Sequence, residues 1–327
     1  MKRIALILLI VLGLCFHVFG FCSAADDSGD AENLTYLIVG FDDAAKNTDV
    51  IMLLNYNANE NKGAIVQIPR DTYCNTGAAT DRINSIYPSA IAAGKKPHAA
   101  LSELARTISE NLCVDIDGYA GLTTDAFARL IDHFGGLDIV MPYDFQIETD
   151  GGTLDLKKGE NHLDGKRATE FVRYRKGYAM GDVGRVDAQK FFLSAFVKKL
   201  RSGINLDTAV KCMTDSGEGL VTNVKTRDVL KILMKKSGSL REMNAYYVTL
   251  PGKTVQESGV WYYVIAESPT DNLFNTLGFF RRGKMGDNNS FAPSESLGEL
   301  LNIYRDGSIE PRIFNDENLS GLRVVPE

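Results

Sequence analysis

Apolar positions change their period along the chain, and each change predicts a different element. Leu34 to Val39 and Val50 to Tyr56 are short runs of strand formers, and Ala64 to Ile68 is a third. Gly40 ends the first run, and Asn57 to Gly63 is polar and reads as a turn. Pro69 stops the third run, because proline cannot donate to a ladder. From Ala99 the spacing turns helical, with Leu101, Leu104, Ala105, Ile108 and Leu112 on one face. Phe127, Leu130, Ile131 and Phe134 repeat that signal, with Thr124 as the expected N-cap and Gly135-Gly136 as the stop. Leu137 to Val140 reads as a buried strand. Phe191, Phe192, Ala195, Phe196 and Leu200 predict a long apolar helix. Tyr246 to Leu250 and Trp261 to Ala266 read as strands, and Ser268-Pro269 as the opening of a last helix.

Strands alternating with helices predict an α/β fold, a three-layer α/β/α sandwich with a central mixed sheet. The N-terminus stands apart. Met1-Lys2-Arg3 precedes an apolar run from Ile4 to Phe21, followed by Ser23-Ala24-Ala25 and the acidic Asp26-Asp27. Charge, apolar stretch, small residues and polar exit make an export signal. The run sits at the short limit for spanning a bilayer, so residues 1–25 read as a signal peptide or a membrane anchor. Residues 26–33 form a polar linker, 34–283 one large domain, and 284–327 a polar, loop-like tail of unassigned structure.

Of the 327 residues, 44% are hydrophobic and 24% charged, which is ordinary for a globular chain. A net charge of −6 argues against general nucleic-acid binding, which needs clustered basic surface. Cys74, Cys113 and Cys212 lie beyond the export segment at no regular spacing, so no disulfide framework is visible. The scattered His17, His98, His133 and His162 offer no zinc spacing. Neither a nucleophile elbow nor a Gly-Lys phosphate loop is present.

Three segments carry polar groups beside strand and helix ends. Asp42 follows the first strand and Asp49 opens the second, so neighbouring strands would bring both carboxylates to one sheet edge. Mg²⁺ is often held by one or two carboxylates together with substrate phosphates; ordinary solvated turns are the plainer alternative. Arg70, in Ile68-Pro69-Arg70-Asp71-Thr72, can offer its fork to phosphate or pair with Asp71. Arg173, Arg175 and Arg185 cluster around Gly181-Asp182-Val183-Gly184, a pattern suited to a multiply charged anion or to a solvated basic face.

In the order in which they occur, these segments resemble the LytR-CpsA-Psr family. The resemblance runs through Thr48-Asp49-Val50-Ile51-Met52-Leu53, Ile68 to Tyr73, and Arg82-Ile83-Asn84-Ser85-Ile86-Tyr87. It continues through Gly135 to Pro142, Leu163 to Ala168, Val172-Arg173-Tyr174-Arg175, and Gly181 to Arg185 with Gln189. It covers residues 34 to 201 well and reaches loosely to about 280. It implies a Mg²⁺-dependent phosphotransferase at the outer face of the cell membrane. The donor would be a polyprenyl-pyrophosphate glycopolymer, such as teichoic acid or capsule, and the acceptor peptidoglycan, joined by a phosphodiester. Asp49 and Asp42 match the family's acidic metal positions. Arg70, Arg173, Arg175 and Arg185 match its pyrophosphate-contacting arginines, and Asp182 the acid beside the last of these.

Two departures remove positive charge: Asn47 and Ala188 stand where many members have arginine. They encourage an alternative, a non-catalytic polyprenyl-pyrophosphate-binding protein of the envelope. A lipid pyrophosphatase needs the same residues. A transcriptional regulator is opposed by the export signal and the negative charge. Phe127, Leu130 and Phe134, with Phe191, Phe192 and Phe196, would line a lipid slot or form plain core.

Overall fold

The structure is a computed structural model. It describes residues 33–42, 47–77, 80–149, 152–174, 182–202, 219–224, 243–286 and 289–319, with the backbone alone for 147, 149, 182–188 and 200. The first strands are β1 (Asn33–Phe41), β2 (Thr48–Asn57) and β3 (Lys62–Gln67), followed by helices α1 (Ile86–Ala92) and α2 (Pro97–Leu112). Then come β4 (Gly118–Leu122), α3 (Thr124–His133), β5 (Leu137–Met141), β6 (Phe145–Thr149), β7 (Gly152–Leu156) and β8 (Gly159–Leu163). Helices α4 (Gly165–Arg173) and α5 (Asp182–Arg201) lead to β9 (Leu220–Thr222), β10 (Asn244–Thr249), β11 (Gly252–Glu257) and β12 (Val260–Ile265). The described chain ends with α6 (Glu267–Thr276), α7 (Gly298–Tyr304) and β13 (Ile313–Asn315).

Among the described residues, seven strands form one mixed sheet in the order β13-β10-β3-β2-β1-β4-β9. β1 pairs antiparallel with β2 and β2 with β3, while β1 and β4 run parallel, as do β3 and β10. The period of two divides each strand between two cores. Tyr36, Ile38, Leu54, Ile65 and Tyr247 face one layer with Leu130, Phe171, Phe192 and Phe196 of α3, α4 and α5. Leu37, Val39, Leu53, Val66 and Val248 face the other layer with residues of α1, α2, α6 and α7. Helices therefore cover both faces, as the alternating pattern requires.

Several local expectations shift. The N-cap of α3 is Thr123, whose hydroxyl accepts from Ala126 N, not Thr124. Leu137 to Val140 is a strand, but it pairs with β8 outside the main sheet and leaves Val140 exposed. Pro269 lies in the third position of α6 rather than the first. The region after Gly283, left unassigned from sequence, holds two of the described elements: α7 buries Leu300 and Tyr304, and β13 extends the main sheet beside β10.

Candidate functional site: an apolar cavity with an acid–arginine mouth

The site lies where β1, β3 and β4 end and β2 begins. Open α/β sheets bind ligands at the carboxyl ends of their parallel strands. The β1–β2 ladder shifts register there: Gly40 faces Val50, yet Phe41 faces Thr48. Asp49 is the extra residue of that bulge, and a bulge re-aims the side chain it carries. Gly40 suits this step, because a Cβ there would sit a tight 3.0 Å from Val50 Cβ.

Arg70 reaches the bulge from the turn that Pro69 starts. That turn is closed by Thr72, whose backbone N (2.9 Å) and hydroxyl (2.6 Å) both donate to the Pro69 carbonyl. Arg70 Nη1 then donates to Asp49 Oδ1 at 2.8 Å, with both side chains about a quarter exposed. Asp71 sits behind Arg70, its Oδ2 3.6 Å from Arg70 Nε and its Oδ1 3.2 Å from Arg82 Nη1. The Arg82-Ile83-Asn84 segment docks through Ile83 N to Thr72 O and Asn84 N to Arg70 O, and Arg82 also lies over the Tyr262 ring. An alternating acid–base chain, Asp49, Arg70, Asp71 and Arg82, thus fixes the guanidinium at the sheet edge.

Below the mouth is a cavity of about 170 Å³. The sheet lines it with Ile38, Val50, Met52, Leu54 and Ile65, and the helices with Phe127, Leu130, Phe192, Leu193 and Phe196. Asp49 and Arg173 are the charged residues among its lining, with Arg173 at the end of α4. Phe134 and Phe191 do not line it; they are buried core, and Phe134 packs edge-on to Phe196. The phenylalanine stripe therefore splits between cavity wall and core.

Asp42 stands one residue past β1. Its carboxylate accepts from Asn47 Nδ2 at 2.6 Å and its backbone N donates to Asn47 O at 3.0 Å, which ties the neck of the loop. Asn47, one of the two departures, is thereby a loop clasp. Asp42 is not among the cavity-lining residues. Arg175 lies outside the described residues, and the side chains of Asp182, Arg185 and Ala188 do too; 182, 185 and 188 fall within the backbone of α5. No group of three or more His, Cys, Asp or Glu fit to hold a metal occurs among the described residues. Asp49 on the cavity, with Asp42 at the adjoining strand end, fits a hard cation that takes most of its ligands from phosphate oxygens.

The sequence reading missed Gln67 and Lys190. Gln67 breaks an otherwise apolar inward face of β3 and lines the cavity beside Gln189. Its position in the alternation, two residues after Ile65, was the available signal. Lys190 is 1% exposed and donates to Thr249 Oγ1 at 2.9 Å.

A three-layer α/β/α sandwich thus carries an apolar cavity with an acid–arginine pair at its mouth. The family model described as the LytR_cpsA_psr family matches residues 22–278, and the chain belongs to that family. It is 29% identical over 249 residues to a protein of Oceanobacillus iheyensis named polyisoprenyl-teichoic acid–peptidoglycan teichoic acid transferase TagU, covering 75% of this chain and 74% of that one. It is likewise 29% identical over 269 residues to TagV of Bacillus subtilis, a transferase of the same description, covering 73% and 68% of the two chains. The crystal structure of B. subtilis TagV superposes with a TM-score of 0.61 at 25% identity, over 76% of this chain and 96% of that one. A structure described as TagT bound to LI-WTA shares the fold, with a TM-score of 0.59 at 22% identity over 78% and 93%.

Proposed function

We propose that this chain moves a teichoic-acid-type glycopolymer from a polyisoprenyl pyrophosphate carrier onto peptidoglycan, forming a phosphodiester. The observation that carries the reading is the apolar cavity with Asp49 and Arg173 among its lining and Arg70 bound to Asp49. Such a cavity suits a lipid tail, and such a mouth suits the phosphates attached to it. The names of the relatives supply the polymer and the acceptor.

Phosphoryl transfer is chiefly positioning and charge stabilisation, so fixed guanidiniums serve it without a covalent nucleophile. Arg70 is held by Asp49 and Asp71, and Arg173 stands in the last turn of α4. Arg175 and Arg185 would add to this anion site, and Asp182 would orient them. Asp49, with Asp42, would hold Mg²⁺. When bound, that ion neutralises charge on the phosphate oxygens. A carboxylate at this mouth takes the proton of the acceptor hydroxyl.

The N-terminal pattern supports action at the outer face of the cell membrane. It lies outside the described residues, among which no helix is long and apolar enough to cross a membrane. The test is to incubate the protein with a polyprenyl-pyrophosphate glycan, Mg²⁺ and peptidoglycan. Glycan bound to peptidoglycan through phosphate is the expected product. Release of glycan phosphate to water alone would make the chain a pyrophosphatase, and binding without turnover would make it a carrier protein.

A further inference from the structure

The largest exposed apolar side chain among the described residues is Trp261, 53% exposed on β12. It is also the only tryptophan of the chain. A single exposed ring is ordinary on a protein surface, but the position of this one is not. Tyr263 N donates to Asp71 O at 2.9 Å and Tyr73 N to Tyr263 O at 2.8 Å, a parallel bridge that stitches β12 to the turn carrying Arg70. Both segments run the same way there. The residues that precede the bridge, Arg70 on one and Trp261 on the other, therefore lie toward the same end. Tyr262 is fixed between them: the Arg82 guanidinium lies 5.7 Å over its ring, and the Tyr73 ring meets it edge-on at 5.6 Å. The acid–arginine chain thus continues from Asp49 through Arg70, Asp71 and Arg82 to the β11–β12 hairpin. Asp49 lines the cavity, whereas Arg70, Asp71, Arg82 and Trp261 are not among its lining residues. The hairpin stands outside the cavity, beyond the arginine mouth.

The neighbours of Trp261 say what kind of group it meets. In β11, Gln256 pairs with Trp261 and Thr254 with Tyr263, so both project on the Trp261 face, and both are exposed. The surface is one flat ring rimmed by an amide and a hydroxyl. A pyranose has the same division, an apolar C–H face and a rim of hydroxyl and acetamido groups. A protein partner would need a far larger area, and a polyol phosphate chain has no flat face to offer. The course of the reaction chooses among sugars. The acceptor hydroxyl oxygen bonds to phosphorus in line with the bond to the lipid phosphate, which breaks. The electron pair leaves on the lipid phosphate, on the side of the cavity that takes the tail, and the hydroxyl proton passes to a carboxylate of the mouth. The acceptor then enters from the side away from the cavity, where the hairpin stands.

We propose that Trp261 is a specificity-determining acceptor subsite, stacking on an N-acetylhexosamine ring of the peptidoglycan glycan strand so that a neighbouring sugar presents its hydroxyl at Arg70. This rests on the transfer reading above. Trp261 lies two residues before Tyr263, roughly 7 Å along the strand, a step on the scale of one sugar ring.

Because Trp261 is the only tryptophan, emission excited where tyrosine does not absorb reports on this ring alone. The full chain is titrated, without donor, with peptidoglycan glycan strands freed of peptide. A saturable change in emission is expected, and unchanged emission overturns the inference whether or not the chain catalyses transfer. In the transfer assay, Trp261→Ala should raise the KM for acceptor strands roughly tenfold while the KM for donor holds, and Trp261→Tyr should keep most of the wild-type value. The ring is exposed, so neither substitution should disturb the fold. An unchanged acceptor KM overturns the inference. A rise confined to the donor KM overturns it too, by assigning the ring to the donor's own sugar. A wild type whose emission responds to the strands but which transfers nothing to them overturns the transfer reading and leaves the glycan contact in place, which separates the two failures.

Discussion

Asp71 touches no cavity surface, yet it should matter to catalysis almost as much as the arginine it holds. Asp71 stands between Arg70 at 3.6 Å and Arg82 at 3.2 Å, all three side chains 22–24% exposed. Partly exposed pairs of this kind contribute about 1 kcal/mol or less to stability. Asp71→Asn should therefore leave the melting behaviour nearly unchanged. Its effect on Arg70 is different in kind, because the guanidinium keeps only its Asp49 contact in this chain of charges and loses its second anchor. A misplacement of about 1 Å at a reacting group costs on the order of 100-fold in rate. We expect kcat/KM to fall between about 10- and 100-fold, with most of the loss in kcat. The assay is transfer of labelled glycan to peptidoglycan, run for Asp71→Asn, Arg70→Ala and the double variant. Because Asp71 acts through Arg70, the double variant should be no worse than Arg70→Ala alone. Arg82→Lys should largely preserve activity, since it keeps a cation on Asp71. Additive losses, or an Asp71→Asn enzyme as fast as wild type, would refute the argument.

Asp49→Ala should abolish metal-dependent turnover while the circular dichroism spectrum is kept; wild-type turnover at saturating Mg²⁺ would remove Asp49 from the mechanism. Leu193→Trp fills a cavity-lining position and should weaken long-chain donors more than short ones, by about 0.8 kcal/mol for each methylene displaced. Ala195→Trp, outside the lining, should not discriminate by chain length, and a common effect of both variants would make the cavity ordinary core. Burial, followed by the charge of Asp81, pushes the Cys74 thiol up to about 12. At pH 8 its thiolate fraction is about 10⁻⁴, so iodoacetamide should leave it unmodified in the native chain and label it only after unfolding.

The strands with clean apolar runs, β1, β2, β3, β10 and β12, were legible because burial on one or both faces fixes their composition. β4 was not. Gly118-Tyr119-Ala120-Gly121-Leu122 lacks the bulk of a strand former, for a reason seen only in three dimensions. A Cβ on Gly121 would lie 2.3 Å from the Phe41 ring, and one on Gly118 2.6 Å from Val224. The β6–β7 hairpin and β11 were missed because each strand carries only one or two apolar residues among polar ones, too few to stand out as a run. At the site, strand ends brought Asp42 and Asp49 to one sheet edge, but the pairing of Arg70 with Asp49 was not read from the sequence, which offered Asp71 as its partner. That Asp49 sits in a bulge, and that Asp42 turns to Asn47, depend on register, which sequence alone did not specify. The stripe at 127–134 and 191–196 could not be divided into wall and core, since both are apolar.

The sequence left the structure and role of the chain after Gly283 unassigned. A polar, loop-like tail invites removal, and the family match itself ends at 278. Yet Phe291, Leu300 and Tyr304 are each 0% exposed, packed with the α2 and α6 layer. Burying three large side chains is worth roughly 5–9 kcal/mol at about 1.5–3 kcal/mol each. β13 also covers the edge of β10, and Asp316 holds Arg201 at 2.6 Å and the Tyr247 hydroxyl at 3.2 Å. Whole domains are stable by only about 5–15 kcal/mol. A chain ending at Gly283 would lose most of that margin and expose an unpaired strand edge, which favours aggregation. It should therefore fail to fold cooperatively, whereas a chain ending after Ser308, which keeps α7 and loses β13, should fold with a lowered melting temperature. Thermal unfolding of the two truncations beside the full chain decides it. A 1–283 chain that melts cooperatively within a few degrees of the full chain would show that the tail is appended to a finished domain rather than part of its core.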